Sequence, residues 1–155
     1  MNRRVFTSLA IVLTMVASAL TVTAQSGQWN ERYWHRYDKN QVGQLIRNVE
    51  TSSNEFRRNF DRWLDQSRYD GTTRENNFNS KVRAFEQSTN ELRAEFERRD
   101  SWWETRNNVQ NVLTAARPVE QMMRRRDFDR SVENQWRRLR STLNRLATTY
   151  RLSSI

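Results

Sequence analysis

Arginines are concentrated between Met123 and Arg140, where the sequence reads MRRRDFDRSVENQWRRLR. Seven of these eighteen residues are arginine and only three are acids. A guanidinium group presents five donors in a planar fork, so it can hold a phosphate, sulfate or carboxylate through two parallel hydrogen bonds. The segment therefore predicts either a binding surface for an anion or the solvated face of a helix.

The excess positive charge lies in the C-terminal part of the chain. Between Arg117 and Arg151 there are ten arginines and four acids, whereas residues 25–116 carry 15 basic and 14 acidic groups. If the last segment is helical, most of its arginines fall opposite an apolar stripe that runs from Val132 to Tyr150. The candidate anion-binding residues on this helix are Arg130, Arg137, Arg138, Arg140 and Arg145.

A solvated helix face is the alternative interpretation of the same arginines. Any helical bundle carries charge on its outer surface, and acids of a neighbouring helix, such as Asp61 and Asp65, would neutralise part of this face. The segment from Arg117 to Arg151 nevertheless has a net charge of +6, which is more than a soluble surface of this size requires. We therefore expect a role in binding.

Residues that could perform catalysis or bind metal are scarce. The chain has no cysteine, which excludes disulfides and thiolate metal sites, and its one histidine is His35. With Glu31, four residues earlier, His35 would form a weak two-ligand site at most, and an ordinary surface pair is the simpler interpretation. No serine lies in a Gly-x-Ser-x-Gly elbow. We expect a protein without enzymatic activity, metal site or cofactor.

Two hydroxyl residues, Ser53 and Thr89, fall at core positions of their segments. They could line a polar pocket in the middle of a bundle, where a cofactor would bind. Alternatively, small hydroxyl side chains let two helices approach closely and hydrogen-bond back to a carbonyl of the preceding turn. The structural interpretation is favoured because such bonds satisfy the hydroxyls without a ligand.

The first 24 residues have the organisation of a signal peptide. A basic start with Arg3 and Arg4 precedes an apolar segment, and small residues stand before a predicted cleavage site after Ala24. A retained membrane anchor is the alternative, since residues 5–24 are long enough to cross a bilayer. We predict export across the inner membrane, to the periplasm or the exterior.

Apolar residues in the remaining chain recur at alternating steps of three and four, which places a stripe along one side of a helix. The predicted helices are 39–68, 73–99, 102–125 and 130–151. The connections between them are short, so neighbouring helices should be antiparallel. The predicted fold class is all-α, an antiparallel up-down-up-down four-helix bundle preceded by a signal peptide. Residues 25–37 would form an aromatic and basic N-terminal arm, and residues 38–152 the bundle.

Local signals mark the helix ends. The predicted N-caps are Asp38, Thr72 and Ser101, each with Gln or Glu three residues later as in a capping box, and Asp129 without that partner. Gly71 is predicted to stop the first helix in a left-handed conformation. Pro118 removes a backbone hydrogen bond, so we expect it to kink the third helix or, failing that, to split it. Of the adjacent Trp102 and Trp103, only one can face the core fully.

An internal repeat relates the first two helices. Residues 46–63 align with residues 82–99 at an offset of 36, with eight of eighteen positions identical. Either a helix was duplicated or two helices meet the same packing requirement. Duplication is favoured here, because the polar identities have no evident packing reason to coincide.

The layout resembles small exported bacterial helical proteins of uncharacterised function. The resemblance covers Gln41 to Leu152 and depends on IRNVETSSNEFRRNFDRWLDQSRYDGT and NQWRRLRSTLNRLATTYRL. It implies a helical fold and supplies no active-site residues. LTAAR, residues 113–117, is also similar to the Leu-Thr-x-x-Gln signature of Spy-type periplasmic chaperones, but it ends in Arg117.

The expected function is surface interaction without catalysis. The arginine-rich face of the fourth helix would bind anionic lipid, lipopolysaccharide, acidic polysaccharide or an acidic protein, whereas nucleic acid is not an expected partner outside the cytoplasm. The alternative is a periplasmic chaperone or stress protein that binds unfolded clients. The composition does not indicate an oligomeric state.

Overall fold

A computed structural model describes residues 36–125 and 128–155, and within these ranges it contains helices and no strands. The four α-helices are α1 (Lys39–Asp65), α2 (Thr73–Arg98), α3 (Arg106–Met123) and α4 (Arg130–Thr149), with a short 3-10 helix at Trp102–Thr105 before α3. The predicted all-helical fold class is confirmed. The predicted signal peptide and most of the N-terminal arm lie outside the described residues.

Side-chain caps start three of the four α-helices as predicted. Asp38 and Gln41 form a complete capping box, with Gln41 N donating to Asp38 Oδ1 at 2.7 Å and Asp38 N donating to Gln41 Oε1 at 3.2 Å. Thr72 accepts from Glu75 N, but the Glu75 carboxylate reaches back to Gly71 N instead of the cap residue. The predicted cap at Ser101 is wrong, because the side chain of Ser101 accepts no such bond.

Two predictions about helix ends require correction. The first helix ends at Asp65, three residues before the predicted end, and Gly71 takes its left-handed conformation (φ 70°) in the turn before α2. The third segment begins with 3-10 turns and not with an α-helix. The helix α3 then continues through Pro118, so the proposed split there is wrong. The predicted kink stays a prediction.

The bundle closes around one apolar core. Each helix packs against the next along the chain, and α1 also packs against α4. The core residues include Val49, Phe56, Leu92, Leu113 and Leu143, all 0 % exposed. Such burial contributes roughly 1.5–3 kcal/mol for each large side chain and is the main source of stability in a chain without disulfides.

Close approach of α1 and α2 depends on a glycine. A Cβ atom at Gly43 would lie 3.0 Å from Cε1 of Phe96, so a larger residue would force the ring or the helix to move. Gly43 is buried inside α1, where glycine costs about 1 kcal/mol relative to alanine. The contact with Phe96 gives a packing reason for that cost.

The internal repeat corresponds to a local two-fold relationship between α1 and α2. Arg57 Nη1 lies 2.5 Å from Glu86 Oε2, and Arg93 Nε lies 3.5 Å from Glu50 Oε2. The two ion pairs are equivalent, because an offset of 36 residues relates Arg57 to Arg93 and Glu50 to Glu86. Between them lie Ser53 and Thr89, also 36 apart, with their hydroxyl oxygens separated by 3.0 Å.

The same relationship extends to an ion pair within each of the two helices. Arg57 also approaches Asp61 at 3.5 Å, and Arg93 approaches Glu97 at 2.5 Å, one helical turn further along each helix. Two polar identities of the repeat, Arg57 with Arg93 and Glu50 with Glu86, therefore have a packing reason. A shared packing requirement accounts for these two positions as well as duplication does.

Aromatic residues close the two ends of the bundle. At one end Phe60, Trp63, Phe78 and Phe128 pack together, with ring centroids of Trp63 and Phe128 4.8 Å apart. At the other end the rings of Trp102 and Tyr150 meet edge to face at 5.0 Å. Burial raises the pKa of Tyr150, although the hydrogen bond with Thr105 opposes that shift.

Candidate anion-binding groove

The helix α4 is oriented by its apolar face and its N-terminal cap. Trp136, Leu139 and Leu143 are at most 3 % exposed, which directs the opposite side of the helix outward. Asp129 accepts hydrogen bonds from Val132 N at 3.0 Å and Ser131 N at 2.8 Å, as predicted for an N-cap. The bond from Val132 and those from Ser131 hold the pKa of Asp129 below its ordinary value, against a small opposing effect of burial.

The structure separates the five predicted arginines into two groups. Arg137, Arg140 and Arg145 line a groove between the N-terminal half of α1 and the C-terminal half of α4. Arg130 and Arg138 are exposed on the same helix but do not line this groove. The fourth helix therefore carries three of the predicted arginines in the groove and two outside it.

A fourth arginine joins the groove from outside α4. Arg36 lies just before α1 and lines the groove together with Tyr37. Sequence reasoning assigned Arg36 to the N-terminal arm and missed this role. This position follows from the predicted antiparallel bundle, because that arrangement brings the start of the first helix beside the end of the fourth.

The groove has a volume of about 900 Å³ and is strongly cationic. No acid is found among the described residues that line it. In residues 36–125 and 128–155, the side chains of Arg36, Arg137 and Arg145 form no ion pair. Of these three, Arg137 also lines a smaller depression between α3 and α4 that contains Glu120 and Glu133.

Arg140 differs from the others because it is paired with a buried acid. Its Nη1 donates to Glu120 Oε1 at 2.7 Å, and Arg124 Nε donates to the same oxygen at 2.9 Å. The indole Nε1 of Trp136 donates to Glu120 Oε2, also at 2.7 Å. Arg140 is thus fixed at the edge of the groove. Glu120 neutralises part of its charge, so Arg140 attracts a ligand in the groove less strongly than the other arginines.

Burial raises the pKa of Glu120, but the hydrogen bonds from Trp136, Arg124 and Arg140 together hold it below its ordinary value. The residue is 5 % exposed, which is rare for a carboxylate without such partners. Glu120 was not among the residues predicted to be functional. Its burial could have been predicted from its position four residues after Ala116, on the side of α3 that faces the core.

The end of the groove is fixed by Tyr37. Its carbonyl accepts a hydrogen bond from Trp102 Nε1 at 3.1 Å, and its ring meets the edge of Trp102 at a centroid distance of 6.4 Å. Beyond Tyr37 a depression of about 300 Å³ leads to Trp103, which is 44 % exposed while Trp102 is 3 % exposed. The prediction that only one of the two tryptophans faces the core is confirmed.

The layer of hydroxyls in the core has a structural explanation. Ser53 and Thr89 are both 1 % exposed, and their oxygens are in hydrogen-bond contact. Thr89 Oγ1 also lies 2.7 Å from the carbonyl of Glu86, as expected for bonding back to the preceding turn. Both hydroxyls are therefore satisfied by the protein itself.

Among the described residues, no group of three or more His, Cys, Asp or Glu side chains is arranged to hold a metal ion. His35 and Glu31 lie outside the described residues. None of the helices within the described ranges is both long and apolar enough to span a bilayer. No family model, curated protein or solved structure matches this chain.

Proposed function

We propose that the mature protein is exported and acts without catalysis, by binding an anionic partner in the groove between α1 and α4. The observation that carries the proposal is the set of three unpaired arginines, Arg36, Arg137 and Arg145, in one concave surface without a lining acid among the described residues. Three like charges along one groove, without an acid among its described lining residues, favour a ligand of opposite charge over a merely solvated face.

The chemistry of the groove suits carboxylate, sulfate or phosphate groups. Each guanidinium can bind an oxyanion through two hydrogen bonds. Anionic lipid, lipopolysaccharide, acidic polysaccharide and acidic protein all carry suitable groups.

The chaperone alternative has less support. A chaperone that binds unfolded chains needs apolar surface, and contiguous apolar patches are the usual mark of such a surface. Within residues 36–125 and 128–155, the one large apolar side chain that is exposed is Trp103.

The test compares two double charge reversals on one helix. Arg137→Glu with Arg145→Glu changes the groove, whereas Arg130→Glu with Arg138→Glu makes the same change in net charge outside the groove. Binding to phosphatidylglycerol vesicles, lipopolysaccharide and hyaluronan is measured by sedimentation or calorimetry across a salt titration. We expect the groove variant to lose at least about tenfold in affinity for the preferred probe, since two charge-assisted contacts are removed.

The variant with Arg130→Glu and Arg138→Glu serves as the control. Its affinity for the probe should fall less than about threefold, through long-range electrostatics alone. Equal losses in both variants would show that the protein attracts anions by its overall charge and has no groove site. Failure of all three probes to bind the wild-type protein at low salt would refute the proposal altogether.

A further inference from the structure

The spacing of the arginines favours an extended ligand over a single anion. Arg137 and Arg145 are eight residues apart on α4, which corresponds to roughly 12 Å along the helix axis. Arg36 adds a third charge from the end of α1 that packs near the C-terminal end of α4. One phosphate or carboxylate cannot reach all three groups, whereas a linear polyanion lying along the groove can.

The side chains between the arginines favour a ligand rich in hydroxyl groups. Gln44 of α1 and Ser141 and Asn144 of α4 line the groove, and they present amide and hydroxyl groups. Asn144 Oδ1 accepts from the backbone of Ile155 at 3.1 Å, which orients the amide. The flat head-group layer of a lipid bilayer would meet the exposed Arg130 and Arg138, outside the groove, more readily than residues inside it.

The aromatic residues lie at one end of the groove only. Tyr37 lines both the groove and the adjoining depression, where Trp103 is exposed. Rings of this kind pack against the apolar face of a sugar. A single-stranded nucleic acid needs aromatic platforms for successive bases along its length. The central part of the groove has amides and hydroxyls instead, so its lining suits sugars better than bases.

The charge of the depression differs from that of the groove. Asp38 and Asp100 line it together with Lys39, so an anionic group would be repelled there. Carboxylates accept hydrogen bonds from sugar hydroxyls. The depression therefore suits a neutral sugar better than a charged one.

We infer that the partner is a linear acidic polysaccharide that alternates charged and neutral sugars, with its charged units between Arg137, Arg145 and Arg36 and a neutral unit on Trp103. This inference depends on the proposed function, because it assigns a ligand class to the same groove. The sugar acid carboxylates bind the guanidinium groups, the hydroxyls bind the amide and hydroxyl side chains, and Trp103 covers one ring face.

The test uses hyaluronan oligosaccharides, in which acidic and neutral sugars alternate, with the mature wild-type protein. The neutral polymer dextran, phosphatidylglycerol vesicles and an oligodeoxynucleotide of similar net charge are measured in parallel at matched salt. We expect Trp103→Ala to weaken hyaluronan binding by about fivefold to tenfold and Trp103→Phe to restore most of it. Trp103 is exposed, so neither substitution should prevent folding, which circular dichroism verifies.

The outcomes separate this inference from the proposed function. Binding of hyaluronan that depends on both Trp103 and Arg145 supports it. If vesicles or the oligodeoxynucleotide bind more tightly than hyaluronan, or if Trp103→Ala has no effect, the polysaccharide assignment is wrong while an anion-binding groove survives. If no anionic probe binds, the proposed function fails together with the inference.

Discussion

Glu120 is the residue that links the core of the bundle to its cationic surface. It is nearly buried, yet it accepts hydrogen bonds from Trp136, Arg124 and Arg140. These bonds offset the cost of taking a carboxylate out of water. They also fix Arg140 and Trp136 relative to α3, which sets the position of α4 beside the groove.

Glu120→Gln should lower the free energy of unfolding by about 2 kcal/mol at pH 7, because two arginines lose their charged acceptor while Trp136 keeps a neutral one. The folded-state pKa of Glu120 lies below its ordinary value of 4.5. Its ionised form therefore stabilises the protein above that value, and this contribution is lost as the pH falls through the folded pKa. Urea unfolding of both proteins at pH 7 and pH 3 measures the difference.

The difference between wild type and Glu120→Gln should thus shrink at pH 3. Glu133→Gln is the matched control, since Glu133 and Glu120 both line the small depression between α3 and α4, but Glu133 makes no ion pair with a described residue. A cost for Glu120→Gln that is independent of pH, or equal to that of the control, would contradict the assigned role.

At the scale of elements, the pairing of α1 with α2 is the most specific interaction in the bundle. Two ion pairs, Arg57 with Glu86 and Arg93 with Glu50, flank the hydroxyl contact and exchange under the local two-fold. A one-turn slip of α1 against α2 would break both pairs at once. The charges therefore define the register that the apolar stripes alone would leave open.

Each of these ion pairs should show a positive coupling energy of about 0.5–1 kcal/mol in a double-mutant cycle, as expected for partly buried pairs. The cycles use Gln in place of each residue, in the pair Arg57 and Glu86 and in the pair Arg93 and Glu50. Thermal or urea unfolding gives the free energies.

A third cycle, between Arg57 and Arg93, provides the control. These residues occupy equivalent positions of the repeat without contacting each other, so their coupling should be close to zero. Coupling as large as that of the ion pairs would mean that the charges act through the whole helix pair and do not set the register locally.

For the whole molecule, the arginine groove costs stability. Arg36, Arg137 and Arg145 repel one another, and among the described residues no acid lines the groove to relieve the repulsion. Natural proteins tolerate such costs where function requires them. The repulsion among the groove arginines should therefore be measurable in the absence of a ligand, as a reduced stability of the protein.

Arg145→Glu should raise the melting temperature by roughly 1 °C at low salt, because a carboxylate replaces one of the like charges that line the groove. Arg137 stays unchanged in this variant, since it also lines the depression that contains Glu120 and Glu133. The gain should diminish as salt screens the groove. Calorimetry or circular dichroism in low and high sodium chloride provides the measurement. A lower melting temperature would contradict this expectation.

The helices were accessible from sequence because each carries a strong local pattern. The starts at Lys39, Thr73 and Arg130 follow from side-chain caps and apolar periodicity, and the structure confirms them. The errors arise where tertiary contacts override local signals. Trp102 is buried against Tyr150, and the chain enters α3 through 3-10 turns in place of the expected cap at Ser101.

The candidate site was only partly accessible from sequence. Charge counting identified α4, but it treated Arg138 and Arg137 alike, although one faces outward and the other lines the groove. Which arginines converge depends on how α1 lies beside α4, and no local pattern encodes that. The pairing of Arg140 with Glu120 likewise joins residues 20 positions apart on different helices.

The local two-fold between α1 and α2 has a consequence for the growing chain. Because Arg57 and Glu50 of α1 pair with their own equivalents, Glu86 and Arg93, in α2, α1 can match a second copy of itself until α2 has been synthesised. Residues 66–72 then tether α2 at a local concentration that no neighbouring molecule reaches. The short connector thus favours pairing of α1 with α2 of the same chain over pairing of helices from two chains. Lengthening the connector would lower that local concentration and favour a domain-swapped dimer.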